Sequence, residues 1–349
     1  SNMRMLTPLL LGLLVLVSGC QKRDEASKTG LIYCAEGAPR TFNPQLANSD
    51  ATLDASARPI YDRLLEVNAN TLGIEGGLAT RWQSSEDGLS YTLTLRKGVT
   101  FHRTPWFSPT RHFNADDVLF TWQRLLDEHH PFHAVSGGEY PYFYSLGLGN
   151  LIKRVYKKGP YEVVFELNRP DASFLATLAS DYAIVLSAEY GEQMLKAGTP
   201  ALLDSRPIGT GPFSFKEYRH NEFVRYLRHP GYWGGEARME QLIYDITPKS
   251  SKRLAKLLTG ECDVMSTPSA SQLSVIDKDS HLDLSVQSGM NVAFLALNTR
   301  KAPFNKVQVR QALASAINVQ NLLQAVYFET GQSAASPVSY THLTLPTKA

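Results

Sequence analysis

Polar and apolar residues alternate along the segment 78–102 in a way that predicts consecutive β-strands. Residues 90–96 (SYTLTLR) place an apolar side chain at every second position, as expected of a strand with one buried face. Asp87-Gly88 precedes this strand and predicts a β-hairpin with a type I′ turn, because that turn needs residues that tolerate positive φ. Lys97-Gly98 turns the chain again before the alternation resumes at 99–101. The segment is therefore predicted to form a β-meander.

A helical spacing of apolar residues follows. Between 118 and 126 apolar side chains recur every three or four positions, which predicts a helix with one buried face. Asn114 suits the N-cap, and Asp116 and Asp117 in the first turn favour the helix dipole. We interpret these neighbouring carboxylates as capping groups and not as a catalytic pair. Further strands are predicted at 31–33, 161–167, 223–228, 241–247 and 290–298, and further helices at 172–179, 188–196, 250–258 and from Asn305.

The amino-terminal residues 1–19 have the features of a tag remnant and an export signal. Ser1-Asn2 resembles the remainder of an expression tag, and a basic residue precedes an apolar run at 9–17 that is too short to span a bilayer. The run ends in LVSGC, which is similar to a lipobox, so Cys20 is a candidate for lipidation and residues 20–30 for a flexible tether. The alternative is a plain signal peptide with an incidental cysteine.

Composition narrows the possible partners. The chain has 349 residues, of which 43% are hydrophobic and 19% charged, as in ordinary globular proteins. It is long enough for two domains, or for one large domain with an insertion. Its 35 basic and 33 acidic residues give a net charge of +2, which provides no basic footprint for nucleic acid. The 16 Tyr and 15 Phe supply rigid surfaces for a core or for a ligand cleft.

The predicted meander also carries the signature of a known family. The pattern Leu-Ala, Trp, Ser, Asp-Gly, Tyr-Thr, Leu-Arg, Gly-Val, Phe-His fits Leu78, Ala79, Trp82, Ser85, Asp87, Gly88, Tyr91, Thr92, Leu95, Arg96, Gly98, Val99, Phe101 and His102. The segment resembles the bacterial extracellular solute-binding proteins of family 5, which are receptors of ABC importers for dipeptides, oligopeptides, nickel and haem. Residues 114–118 (NADDV) and 207–213 (PIGTGPF) are similar to further motifs of the family, and the resemblance extends over 31–336.

The resemblance implies an α/β fold of the periplasmic-binding-protein-like type II class (cluster C), built from two lobes. It places the sheet domain of lobe I at 31–60 and 205–275, with a smaller subdomain inserted at 61–204. The start of lobe II is expected at 276–338. The resemblance ends there, so 339–349 is interpreted as a foreign or frameshifted tail, with most of the second lobe missing.

The resemblance also implies where a ligand would bind. In peptide-binding relatives the loop after Asn-Pro-Gln offers main-chain hydrogen bonds to the ligand, and the matching residues here are Asn48, Ser49 and Asp50. A second set of candidates, Gly289, Met290 and Asn291, begins a strand that faces the cleft in relatives. Ordinary turn chemistry is the alternative for the first set, and hinge packing is the alternative for the second.

The cysteines add a candidate covalent bond. If Cys20 is lipidated, an even pair remains in an oxidising compartment. Dipeptide-binding relatives join positions of this kind by a disulfide, in the contexts Tyr-Cys and Glu-Cys. Tyr33-Cys34 and Glu261-Cys262 match these contexts, so the resemblance implies a disulfide between Cys34 and Cys262. Two free buried thiols are the alternative.

The residues give little support to metal binding, phosphate binding or hydrolysis. His129, His130 and His133 invite a zinc or nickel interpretation, but Pro131 interrupts a helical spacing between them. The glycines of 207–213 lack the Lys-Ser/Thr of a phosphate-binding loop, so a tight turn is predicted there. No hydrolase motif such as Gly-x-Ser-x-Gly is present in the sequence. We therefore predict no catalytic residues, no metal and no cofactor.

The function that the resemblance implies is that of the substrate-binding component of a peptide ABC importer. Such a protein would capture di- or oligopeptides, antimicrobial peptides among them, in the periplasm and deliver them to the permease in the inner membrane. The expected partners are a short peptide, the permease and, through a lipid anchor, a membrane; the protein itself is expected to be a monomer. Haem, nickel or glutathione are alternative ligands, and a secreted hydrolase is the alternative from another class.

Overall fold

The computed structural model describes residues 30–68, 71–237, 239–287 and 293–298. The predicted export signal, Cys20, the predicted helix from Asn305 and the segment 339–349 lie outside these residues. Among the helices that are described, none is both long enough and apolar enough to cross a membrane.

The strands in this part of the chain are β1 Gly30–Ala35, β2 Leu65–Val67, β3 Ile74–Gly76, β4 Ala79–Ser84, β5 Ser90–Leu95, β6 Ile152–Gly159, β7 Glu162–Leu167, β8 Phe213–Arg219, β9 Phe223–Arg228, β10 Gln241–Ile246, β11 Val264–Ser266, β12 Leu282–Gln287 and β13 Ala293–Asn298. The α-helices are α1 Asp50–Ile60, α2 Ala115–Leu126, α3 Pro141–Ser145, α4 Leu148–Leu151, α5 Phe174–Leu178, α6 Ala188–Lys196, α7 Leu202–Ser205, α8 Ser250–Thr259 and α9 Ala270–Lys278. The protein is thus of the α/β class, as predicted.

A seven-stranded mixed sheet has the strand order β12-β13-β11-β1-β10-β9-β8. Its strand β1 runs parallel to both neighbours, β10 and β11, and the remaining pairs are antiparallel. Helix α8 connects β10 to β11 across β1, since parallel strands require a crossover connection. One face of β1 packs toward the main core through Leu31 and Tyr33. The opposite face buries Ile32 and Cys34 against Cys262.

The second large sheet, in the order β4-β5-β7-β6, is antiparallel and belongs to the segment inserted between β1 and β8. The predicted hairpin of β4 and β5 is present, but the predicted meander is wrong. The segment 99–101 forms no strand, and β7 pairs with β5 in its place. Val99 and Phe101 alternate because both are buried in the core as irregular chain, at 0% and 4% exposure.

The turn type of the hairpin also differs from the prediction. Gly88 has a positive φ of 70°, whereas Asp87 is not among the residues with positive φ. A type I′ turn needs positive φ at both central residues, so the turn is not of this type. Gly88 N instead donates to Ser85 O (3.0 Å), and Ser85 Oγ donates to Asp87 Oδ1 (2.6 Å). The hydrogen bond between the side chains of Ser85 and Asp87 favours a loop that is longer than the predicted two-residue turn.

The strands after residue 276 belong to the same sheet as β1. Helix α9 contains residue 276, and β12 and β13 are two strands of the seven-stranded sheet. β13 lies beside β11 because Val264–Ser266 pairs antiparallel with it. The described part of 276–338 therefore continues the first sheet.

Cys34 and Cys262 form a disulfide in the structure, with their Cα atoms 5.9 Å apart. Cys34 lies in β1, and Cys262 lies two residues before β11 in the chain. Both cysteines are fully buried. The bond therefore ties the central strand directly to the end of the crossover connection.

Helix α2 begins as its sequence predicts. Asn114 is the N-cap, and its side chain accepts from Asp116 N (2.9 Å). Asp117 completes a capping box by accepting from Asn114 N (3.0 Å), and it also accepts two hydrogen bonds from Arg111 (2.8 and 2.9 Å). These contacts confirm the structural interpretation of the neighbouring carboxylates.

Helix α2 also supplies a buried ion pair. Arg124 binds Asp204 of α7 through two parallel hydrogen bonds of 2.8 Å. The guanidinium donates in addition to the carbonyl oxygens of Phe132 (3.1 Å) and Val135 (3.2 Å). The side chains of Arg124 and Asp204 are 0% and 3% exposed. The pair thus joins α2 to α7 inside the inserted segment.

Two glycines of the segment 207–213 are required by close backbone packing. A Cβ built on Gly209 would lie 2.0 Å from Ile60 O, and one on Gly211 would lie 2.5 Å from Ile60 C. Gly211 N donates to Ile60 O (2.9 Å), so the turn is bonded to the end of α1. The glycines therefore serve chain packing and not phosphate binding.

We expect Gly209→Ala to destabilise the fold by about 1–3 kcal/mol, because the added methyl group overlaps a carbonyl oxygen that cannot move freely. Urea unfolding of the purified variant measures this loss. Gly159→Ala is the matched control, since a Cβ at Gly159 meets nothing within 4 Å. Equal stability of the two variants would contradict the packing argument.

A pair of buried histidines holds the same turn. His102 Nδ1 accepts from Gly209 N (3.2 Å), which leaves Nε2 to donate to Gly211 O (2.8 Å). His229 Nδ1 lies 3.0 Å from the same oxygen, and the two rings meet edge-on with centroids 4.7 Å apart. Burial lowers the pKa of both imidazoles, and His229 lowers that of His102 further. The folded protein therefore holds both rings neutral.

This pair predicts a loss of stability in mild acid. Below about pH 6.5 the unfolded chain binds protons that the folded imidazoles do not, so the free energy of unfolding falls as the pH decreases. Each imidazole contributes a slope of up to about 1.4 kcal/mol per pH unit. Urea unfolding between pH 7.5 and 5.5 should show a smaller slope for His229→Gln than for the wild type, since all other titrating groups are shared. Parallel slopes would refute the assignment.

Candidate ligand-binding site

The carboxyl ends of three neighbouring parallel strands meet on one edge of the seven-stranded sheet. β1 ends at Ala35, β10 at Ile246 and β11 at Ser266, and β1 lies between the other two. Open sheets with parallel strands bind ligands outside the carboxyl ends of those strands. We therefore take this carboxyl edge, with the loop 36–49 and helix α1 that follow β1, as the candidate ligand-binding site.

Arg253 of α8 holds two of the strand ends together. Its guanidinium donates to the carbonyl oxygens of Thr247 (2.9 Å) and Pro248 (2.7 Å) after β10. It also donates to Ser266 O (3.1 Å) and Thr267 O (2.9 Å) at the end of β11. Arg253 is buried, and burial lowers the pKa of its guanidinium. Four carbonyl groups from two segments thus share one planar donor, which fixes the shape of the edge.

The loop 36–49 is anchored to the inserted segment near its middle. Phe42 N donates to Asp204 O (3.0 Å), and Asn43 Nδ2 donates to Asp204 Oδ1 (2.9 Å). Gln45 N then donates to Asn43 Oδ1 (3.0 Å). The carboxylate that pairs with Arg124 therefore also positions the loop that leads into α1.

The three predicted residues of this loop have different surroundings. Asn48 and Asp50 are exposed, whereas Ser49 is half-buried as the N-cap of α1. Ser49 Oγ accepts from Thr52 N (3.3 Å) and donates to Thr52 Oγ1 (2.9 Å). The side chain of Ser49 is therefore used for capping, while the polar groups of its two neighbours face solvent. The second predicted set, 289–291, lies outside the described residues.

Three tyrosines of the sheet pack beneath α1. The hydroxyl of Tyr226 donates to Ala55 O, and that of Tyr244 donates to Ala51 O (3.4 Å). Tyr33 stacks on Tyr244 with the ring centroids 5.5 Å apart. Burial raises the pKa of all three hydroxyls. Helix α1 therefore lies on an aromatic surface whose hydroxyl groups point toward its backbone at two positions.

Three carboxylates lie at this edge and are called here the acidic cluster: Glu36, Asp50 and Asp54. Burial, with the negative charges of Asp50, Asp181 and Glu36, raises the pKa of the Asp54 carboxyl to about 8. Asp50 and Asp54 are one helical turn apart on α1, a spacing at which like charges repel. Within the described part of the chain, Asp54 has no basic side chain at ion-pair distance.

The nearest cation along α1 is already bound elsewhere. Arg58 donates to Asp181 Oδ1 and to Glu66 Oε2, each at 2.7 Å. Burial alone would raise the pKa of the Asp181 carboxyl, but the positive charges of Arg58 and Arg63 hold it below its usual value. Asp181 therefore remains ionised and adds to the negative field around Asp54.

Two hydroxyl groups near the cluster are buried. Tyr33 Oη and Ser266 Oγ belong to residues that are 3% and 5% exposed, and a side-chain hydrogen bond with Ser266 acts to lower the pKa of Tyr33. After burial, the charge of Asp54 is the largest contribution to the raised pKa of Tyr33, and Glu36 also contributes. The tyrosine hydroxyl is therefore a buried polar group within the field of the acidic cluster.

No metal site accompanies these groups. In the ranges that the structure describes, no group of three or more His, Cys, Asp or Glu side chains is placed to hold a metal ion. Among the histidines considered from the sequence, His133 Nδ1 lies 2.6 Å from Arg124 O. His130 Nδ1 accepts from Phe132 N (3.1 Å). These two rings thus serve local backbone contacts.

Glu36, Asp54 and Tyr33 were not predicted from the sequence as candidate site residues. One signal was present, because Asp50 and Asp54 have the spacing that places both on one helix face. The contribution of Tyr33 depends on the pairing of β1 with β10 and β11, which joins residues far apart in sequence.

Comparison with known proteins places the chain in a family. Residues 73–347 match the model of the bacterial extracellular solute-binding proteins, family 5 Middle. The peptide transport periplasmic protein SapA of Salmonella typhimurium is 46% identical over 308 residues, which are 88% of this chain and 56% of that protein. Heme-binding protein A of Haemophilus influenzae is 44% identical over 313 residues, which are 90% of this chain and 57% of that protein.

A solved structure agrees with these matches. The dipeptide-binding protein from Pseudoalteromonas sp. SM9913, in complex with Met-Leu, is 43% identical and superposes with a TM-score of 0.73. The superposition covers 84% of this chain and 58% of that one. The chain thus spans a little over half the length of the relatives it matches. From its motifs, its fold and these similarities, the chain belongs to the bacterial extracellular solute-binding proteins of family 5.

Proposed function

We propose that this protein is the substrate-binding component of a peptide ABC importer. It captures di- or oligopeptides in the periplasm and delivers them to a permease in the inner membrane. The observation that carries the proposal is the superposition on a dipeptide-binding protein in complex with Met-Leu, at 43% identity. The similarity to a SapA protein supports peptide transport, and it makes antimicrobial peptides a further ligand class to be tested.

The candidate site has the chemistry that peptide capture requires. An extended peptide is held mainly by hydrogen bonds to its backbone, with side chains in adjacent spaces. The exposed loop residues Asn48 and Asp50 supply unpaired polar groups beside the carboxyl edge. We assign them to ligand binding, together with Gly289, Met290 and Asn291, as the family resemblance implies. Lipidation of Cys20 would hold the receptor, as a monomer, at a membrane.

Titration calorimetry on the full-length protein tests this function. We expect saturable one-to-one binding of Met-Leu and of Ala-Ala, with no binding of free amino acids. Mass spectrometry of the released ligand should recover the peptides intact, because a receptor does not transform what it binds. Cleaved peptides would support a hydrolase, and saturable binding of hemin without peptide binding would support the haem alternative. Either outcome, or no binding at all, would overturn the proposal.

A further inference from the structure

We infer that a cavity between the loop 36–49 and the inserted segment is a binding site for one uncharged hydroxyl group carried on a small apolar frame. The hydroxyl comes from one of two sources, the side chain of a bound peptide or a free small alcohol. The peptide source rests on the proposed function and adds to it a preference for hydroxyl side chains. The alcohol source does not depend on that function.

Three buried polar atoms at one cavity are the first argument. Gln45 of the loop, Trp122 of α2 and Ser180 after α5 all line this cavity. Gln45 Oε1, Trp122 Nε1 and Ser180 Oγ are shielded from solvent, and none of them has a hydrogen-bond partner among the described residues. Gln45 is 4% exposed and Trp122 is 2% exposed. A buried polar atom without a partner costs free energy, so the three atoms together favour a ligand.

The hydrogen-bonding roles of these atoms specify the chemistry of that ligand. Gln45 Nε2 donates to Ile184 O (3.4 Å), which leaves the amide oxygen Oε1 as an acceptor. Trp122 Nε1 is a donor only, whereas Ser180 Oγ can donate or accept. A hydroxyl group donates one hydrogen bond and accepts two. A single hydroxyl can therefore donate to Gln45 while it accepts from Trp122 and Ser180, which an ether oxygen cannot do.

The lining and the size of the cavity exclude charged and large groups. None of the described residues that line it is charged, and a charge buried without a partner is unfavourable. The cavity measures about 290 Å³ when its opening to solvent is counted. A water-sized group fits in about 20 Å³ of this space, which is room for about one such group. The hydroxyl therefore lies inside, and the rest of the frame lies in the opening.

Aromatic and aliphatic side chains supply an apolar wall for the frame. Tyr142 and Tyr182 line the cavity and stack with ring centroids 4.0 Å apart and an interplanar angle of 15°. Both rings are half-buried, and Leu125 of α2 extends the same wall. The hydrocarbon part of an alcohol or of a threonine side chain is therefore stabilised here by burial.

The loop connects this cavity to the candidate ligand-binding site. Gln45 precedes Asn48 by three residues, and both belong to the loop that follows β1. Gln45 N donates to Asn43 Oδ1 (3.0 Å), and Asn43 is in turn bonded to Asp204 of the inserted segment. The loop that we assign to peptide binding thus also supplies one wall of the cavity.

Dipeptides that differ by one hydroxyl test the peptide source on the full-length protein. Threonine and valine have nearly the same shape, but only threonine carries a hydroxyl. In titration calorimetry we expect the wild type to bind Met-Thr about tenfold more tightly than Met-Val, or Thr-Leu about tenfold more tightly than Val-Leu. Gln45→Met removes the acceptor at similar side-chain size and should reduce this ratio to about twofold or less. Gln83→Met, at an exposed position of β4, should leave the ratio unchanged.

The indole N–H signal of Trp122 tests the alcohol source by nuclear magnetic resonance. Butanol and diethyl ether are isomers, but only butanol can donate a hydrogen bond. We expect butanol to shift this signal saturably, at about one tenth of the concentration that diethyl ether requires. In Gln45→Met the two isomers should act at similar concentrations, and Ser180→Ala should weaken the effect of butanol. The signal that disappears in Trp122→Phe assigns the resonance.

The outcomes separate this inference from the proposed function. A preference for the hydroxyl in either experiment that is lost in Gln45→Met supports the inference and identifies the source. If neither the peptide pairs nor the isomers are discriminated, the cavity holds only water and the inference is refuted. The inference is also refuted if Gln45→Met keeps the wild-type preference. If no peptide binds but butanol is preferred to diethyl ether, the proposed function fails while the hydroxyl site stands.

Discussion

Replacing Arg124 by Met is expected to lower the free energy of unfolding by about 3–5 kcal/mol, because it leaves the carboxylate of Asp204 buried without its counter-charge. The side chain of Asp204 is 3% exposed, so water cannot take the place of the guanidinium. Two weaker donors remain, since Asn43 Nδ2 and Ser136 Oγ lie 2.9 and 2.7 Å from the carboxylate oxygens. Urea unfolding followed by far-ultraviolet circular dichroism measures the loss.

A matched control separates burial from ion-pair geometry. Arg154 and Glu166 form a similar two-point contact, with N–O distances of 2.7 and 2.8 Å, but the arginine side chain is 60% exposed. Arg154→Met should therefore cost far less stability than Arg124→Met. The double variant Arg124→Met with Asp204→Asn should recover part of the loss, because it removes the unpaired charge. Equal effects of the two single variants would show that burial is not the cause.

Removing the disulfide is expected to lower the free energy of unfolding by about 5.5 kcal/mol in the chain-entropy model. The bond joins residues with a sequence separation of 228, so it closes a very long loop in the unfolded chain. The double variant Cys34→Ala with Cys262→Ala removes it while keeping both sites apolar, as their buried surroundings require. Urea unfolding of wild type and variant under oxidising conditions gives the difference.

Reduction supplies the internal control for this prediction. A reducing agent should lower the stability of the wild type toward that of the double variant and should leave the double variant unchanged. If the wild type unfolds at the same urea concentration in both conditions, the cross-link does not contribute in the way proposed.

Local patterns in the sequence predicted those elements whose stabilising contacts are also local. The cap of α2 could be predicted because Asn114 and Asp117 are only three residues apart. The hairpin of β4 and β5 followed from Asp87-Gly88, although the side-chain contact of Ser85 changed its turn type. In contrast, the prediction of a third strand at 99–101 was wrong. The strand that pairs with the free edge of β5 is β7, which lies more than 60 residues further along the chain.

The same difference between local and long-range contacts applies to the candidate site. The loop at 48–50 was found through family resemblance, and Ser49 caps α1 by ordinary turn chemistry. The cluster around Asp54 was not predicted, because its character depends on Glu36 and Asp181, which approach only in the folded chain. Single-sequence patterns carry no information on such approaches, and the burial of Tyr33 within the field of Asp54 is visible only in three dimensions.

The central position of β1 has a consequence for synthesis. This strand is made early, yet its two neighbours, β10 and β11, follow about 200 residues later. Ribosomes add roughly 5–20 residues per second, so β1 waits about 10–40 seconds for its first partner. During that time both edges of an apolar strand are open to pairing with other nascent chains. We expect this polypeptide to depend on a holding chaperone until β10 and β11 are available to pair with β1.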